Sequence, residues 1–164
     1  MENNHGMHQS KEPKSNYTKF IWMLIASFIA MYVTMYFNTY QIDHVYFSLT
    51  RFYMACLGIS TMAVIMLLFM LNMYKNKRKN IAIFLGSLIL FVGTLGLVRV
   101  QSPIIGDVLW MKAMIPHHSI AILTSKRADI KDPEVKKLAD DIVKAQEKEI
   151  AEMKALIKKL QSEK

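Results

Sequence analysis

The chain has 164 residues, 52% of them hydrophobic, with 21 Lys and Arg against 13 Asp and Glu and a single cysteine. One cysteine excludes a disulfide framework and a CxxC metal motif. The net charge of +8 does not point to nucleic acid: four positive charges sit in one short loop, and those of the C-terminal part alternate with Asp and Glu as on solvated helix faces.

Residues 1–19 are polar and include "HGMHQ" (His5 to Gln9), metal-ligand residue types in a detached tail. Three nearly uncharged runs follow, Phe20–Phe37, Phe52–Leu71 and Ile81–Val98. A helix rises 1.5 Å per residue, so about 20 apolar residues cross a bilayer, and each run reads as a transmembrane helix. The first is too long for a signal peptide and lacks a small-x-small cleavage pattern after it. The loop "KNKRKN" (Lys75 to Asn80) carries four positive charges, whereas Asn38–Arg51 has only Arg51 against Asp43. The positive-inside rule therefore places residues 1–19 in the cytoplasm and everything after Val98 outside a multi-pass cell membrane, with the lipid bilayer as a partner. Met54, Met62, Met66, Met70 and Met73 recur in the second run and Met23, Met31 and Met35 in the first, a pattern read as flexible apolar filler in preference to a Cu(I) path through the membrane. Ala82, Gly86 and Gly93 share a side of the third and predict close helix packing.

After a linker over 99–106, residues 107–164 read as a helical hairpin. Asp107 is a candidate N-cap for a helix reaching about Lys126, and Asp132-Pro133-Glu134 a strong start for a second reaching about Gln161. Val135, Leu138, Ala139, Ile142, Val143, Gln146, Ile150, Met153, Leu156, Ile157 and Leu160 fall on one face of the second helix, with Glu149 at its edge. A hairpin this small needs a partner, first a second copy forming a four-helix bundle, otherwise the membrane or the spans.

The first helix carries "MIPHHSIAI". At about 100° per residue, Asp107, Met111, Met114, His117, His118 and Ala121 share a face roughly 120° wide. Pro116 removes the amide partner of the Lys112 carbonyl beside the histidines. Imidazole with thioether is a soft-to-borderline ligand set that favours copper, Cu(I) above all, over Mg²⁺, Ca²⁺ or zinc. Adjacent histidines diverge by about 100° on a helix, so they suit two ions, or one ion completed by a facing helix.

"MIPHHSIAI" followed by "EVKKLADDIVKAQEKEIAEMKALI" resembles the DUF305 family, through Met114, His117, His118, Ala121, Ile122, Glu134, Val135, Leu138, Ala139, Ile142, Gln146, Glu149, Ile150 and Met153. The resemblance implies an all-α, ferritin-like fold in an extracytoplasmic setting; some members bind copper and are linked to copper resistance. Thr124 stands where members often carry methionine, and Leu156 or Ile157 where many have an aromatic. The expected metal ligands are His117, His118, Met114, Met111 and Met153, supported by Asp107, Gln146 and Glu149. The expected function is copper binding for tolerance or handling in the envelope, by a homo-oligomer that meets other copper-handling proteins. The alternative is a metal-free structural or oligomerisation module. An enzyme is disfavoured, since a dimetal site needs several inward carboxylates with Glu-x-x-His spacing.

Overall fold

The computed structural model describes residues 14–101 and 103–163, so "HGMHQ" lies outside the described residues. The described chain is all-α. Helices α1 (Lys14–Thr34), α2 (Leu49–Phe69) and α3 (Lys77–Val100) are each long and apolar enough to cross a membrane. Helix α1 stops short of Phe37 because Tyr36 and Phe37 donate to the carbonyls of Val33 and Thr34, tightening the chain into turns. Ser48 and Asn76 cap α2 and α3 by accepting from the amides of Arg51 and Lys79.

Helix α2 packs against both α1 and α3. It buries Tyr53, Ala55, Cys56, Ser60, Ala63 and Leu67, while most of the other two helices face outward as lipid-exposed surfaces do. At Gly58 an added Cβ would stand 2.8 Å from the Met31 sulfur, so a first-span methionine fills space against the α2 backbone. The small-residue packing expected on α3 is not made. Gly86 and Gly93 have open space where a Cβ would stand, and α3 buries Ser87 and Thr94 instead. At the end formed by the α2–α3 loop, the Tyr17 hydroxyl donates to Asn80 Oδ1 (2.8 Å) and accepts from the Asn76 amide (3.1 Å).

At the other end, Gln101 takes a positive φ of 57° and stops α3. Helices α4 (Asp107–Arg127) and α5 (Pro133–Ser162) then form the hairpin. Gly106, not Asp107, is the N-cap of α4. Asp107 is already helical, and its carboxylate acts on the helix dipole from the first turn. Asp132 does cap α5, accepting from the amides of Glu134 (2.9 Å) and Val135 (3.0 Å). Helix α4 continues through Pro116.

The hairpin core joins Met111, Ile115 and Ile122 to Val143, Ile150, Met153 and Ile157. The apolar arc of α5 is wider than one partner helix covers. It therefore splits: Ala139, Val143, Ile150, Met153 and Ile157 turn inward, while Val135, Leu138, Ile142 and Leu156 stay exposed. The α1–α2 loop, with a 3-10 turn at Ile42–His44, docks against the hairpin, and Tyr40 and Tyr46 pack on its core.

Candidate functional site

The two histidines leave α4 in different directions, their ring centroids 6.0 Å apart and their planes at 66°. His118 enters the α4–α5 seam, where its side chain is 13% exposed. Nδ1 lies 2.9 Å from the Met114 carbonyl oxygen and Nε2 lies 2.7 Å from Glu149 Oε2. A carbonyl only accepts, so Nδ1 carries a proton. One hydrogen lies between Nε2 and the Glu149 carboxyl, so the Nε2 lone-pair direction and the carboxyl oxygen converge on the same spot.

His117 is exposed and lines a different cavity, together with Met114 and with Arg51 and Met54 of α2. Met111 and Met153 are packed in the hairpin core at 4% and 6% exposure, away from any surface where an ion would enter. Met114 packs on the edge of that core. Asp107 is exposed in the first turn, about 15 Å along the helix from His117. The contact with the imidazole expected of Gln146 is made by the Met114 carbonyl and Glu149. The single face foreseen from Asp107 to Ala121 is thus divided. The arc that α4 buries runs through Met111, Ile115, Ser119 and Ile122, displaced from Met114 toward α5 and the docked loop. Among the described residues no group of three or more His, Cys, Asp and Glu side chains is gathered to hold a metal.

Residues 105–164 match the family model described as "Domain of unknown function (DUF305)". Uncharacterized protein L153 of Acanthamoeba polyphaga mimivirus is 34% identical over 152 residues, covering 90% of this chain and 97% of the relative. The chain is a member of the DUF305 family. At that coverage the likeness extends through the apolar helices as well as the DUF305 hairpin. No solved structure matches the chain.

The DUF305 hairpin also carries a polar junction that the sequence did not announce. Ser119, fully buried, accepts from the Tyr40 amide (2.7 Å) and lies 2.9 Å from His44 Nδ1. One hydrogen is shared between the Ser119 hydroxyl and His44 Nδ1, and His44 Nε2 lies 3.8 Å from Asp43. Burial lowers the His44 pKa; Lys154 lowers it further, and Asp43 and Glu147 oppose. Lys154 donates to Asp43 (2.5 Å) and holds that carboxyl below its usual value. Lys126 pairs with Glu147 (2.7 Å) and stands over the Tyr40 ring. Sequence inspection had only the polarity of Ser119 and His44 to go on, with 75 residues between them.

Proposed function

We propose that this DUF305 protein is a membrane-anchored, extracytoplasmic metal-binding protein, without catalytic activity, that handles copper in the cell envelope. The orientation rests on the Lys75–Asn80 charges. The observation that carries the metal reading is the placement of His118. With Nδ1–H held by the Met114 carbonyl, the ring aims Nε2 at the Glu149 carboxyl, and a metal that takes the place of the hydrogen between them meets both donors. These are two donors on facing helices, with the Met114 thioether one turn away on α4. Imidazole and carboxylate suit Cu(II) as well as zinc, and the thioether shifts the preference toward Cu(I). Metal uptake displaces the proton between Nε2 and Glu149, so binding releases protons.

Two donors and a thioether leave the site incomplete within one copy. A second copy laid on Leu138, Ile142 and Leu156 brings another His118–Glu149 pair to the same seam and makes the four-helix bundle. The test is copper analysis of the full-length protein in detergent, under reducing and oxidising conditions. His118→Ala is expected to lose the copper and His117→Ala to keep it. Undiminished copper in His118→Ala would overturn the proposal.

The outward stripe on α5 also favours a second reading, an oligomerisation module without metal. There, Ile142→Asp dissociates the oligomer and copper leaves thermal stability unchanged. Native size in Ile142→Asp would remove that reading.

A further inference from the structure

His117 belongs to a cavity of about 280 Å³ where the first turn of α2, the residues just after α3, and α4 meet. Its polar lining includes Arg51, His117, Gln101 and Ser48, and no carboxylate is among its walls. The Arg51 guanidinium donates to the carbonyls of Met35 (2.5 Å) and Pro116 (3.3 Å) and lies 4.5 Å from the centre of the Tyr36 ring. All three partners are neutral. Among the described residues no carboxylate pairs with Arg51, and two of the five guanidinium N–H groups are accounted for by those carbonyls.

A fixed cation without a counter-charge at the end of an apolar helix is costly unless something else neutralises it. The rest of the wall suggests what. Met54 and Trp110 make it largely apolar. Trp110 is 49% exposed, as tryptophans at a membrane–water interface are. Arg51 lies in the first turn of a helix long enough to span the bilayer, which puts the cavity at headgroup depth. A cation at His117 would meet the Arg51 charge across the same space. An anion with an apolar body meets complementary walls on both counts.

We propose that this cavity binds the phosphate of an anionic phospholipid headgroup, held by the remaining Arg51 donors with His117 and Gln101 beside it and the first acyl carbons against Met54 and Trp110. A guanidinium suits a phosphate because its planar fork donates two parallel hydrogen bonds. The cavity shares Met114 with the surroundings of the His118–Glu149 pair, but the groups proposed to hold the phosphate, Arg51, His117 and Gln101, are not part of that pair.

Native mass spectrometry of the full-length protein in zwitterionic detergent tests the assignment, with phosphatidylglycerol, phosphatidylcholine and inorganic phosphate as probes. Phosphatidylglycerol is expected to bind at least tenfold more tightly than phosphatidylcholine. Arg51→Gln removes that preference, but it also breaks the ties to Met35 and Pro116. Ala113→Phe fills the cavity from α4 while leaving the Arg51 contacts in place, and it is expected to remove the preference too. Equal binding of the two lipids would overturn the proposal, as would an unchanged preference in Ala113→Phe. Saturation by inorganic phosphate at the concentration effective for phosphatidylglycerol would assign the site to a free anion and overturn the lipid assignment.

Discussion

Ser119→Ala should release the α1–α2 loop from the hairpin. The change removes the acceptor of the Tyr40 amide and the partner of His44 Nδ1, contacts of 2.7 and 2.9 Å made by a hydroxyl with no exposed surface. Leaving a buried polar group unpaired costs about 1–3 kcal/mol, and the Tyr40 amide is only part-buried, so the two together cost about 2–4 kcal/mol. The assay is hydrogen exchange of the Tyr40 amide in detergent. A loss of 2 kcal/mol corresponds to about 30-fold faster opening. The same contact gives a pH dependence with a definite sign. Burial holds His44 below its ordinary value of 6.5, so the unfolded loop binds a proton more readily than the docked one. Docking is therefore fully stabilised above about pH 6.5. It weakens as the pH falls below that, by at most about 1.4 kcal/mol per pH unit, until the lowered folded value is passed. His44→Gln should remove this slope. Exchange in Ser119→Ala within twofold of the parent, or no difference between pH 7.5 and 5.5 after correction for intrinsic exchange, would refute the account of the junction.

Three further substitutions probe the hairpin. Ile150, 3% exposed, lies in its core, so Ile150→Ala should cost about 2–5 kcal/mol in urea or thermal unfolding, whereas Lys144→Ala, on the exposed side of α5, should cost much less. Equal losses at the two positions would mean that the inward and outward faces of α5 are misassigned. Asp132→Ala removes a cap that accepts from two amides and should lower stability by about 1 kcal/mol, seen as fraying of the first turn of α5 by amide exchange.

The three apolar helices, the hairpin break and the α5 cap were legible without coordinates. Each depends on a local property: run length, the dihedral demands of proline, or a carboxylate one residue before a helix. The packing of α3 was not legible, because small residues permit close approach without selecting which side of a helix receives it. Gly86 and Gly93 accordingly face open space, and α2 makes its contacts elsewhere on α3.

The candidate site divides along the same line. Sequence alone put Met111, Met114, His117 and His118 on neighbouring arcs of one helix, since a 100° step per residue is a property of the backbone. Tertiary structure decided what each arc meets. A helix in contact with α5 on one side and with α2 and the α1–α2 loop on others gives adjacent residues different surroundings. Met111 and Met153 entered the core, His118 met Glu149, and His117 met Arg51's cavity. Such partners come from 31 residues away at Glu149 and from another helix at Arg51, distances across which neither periodicity nor local propensity carries information.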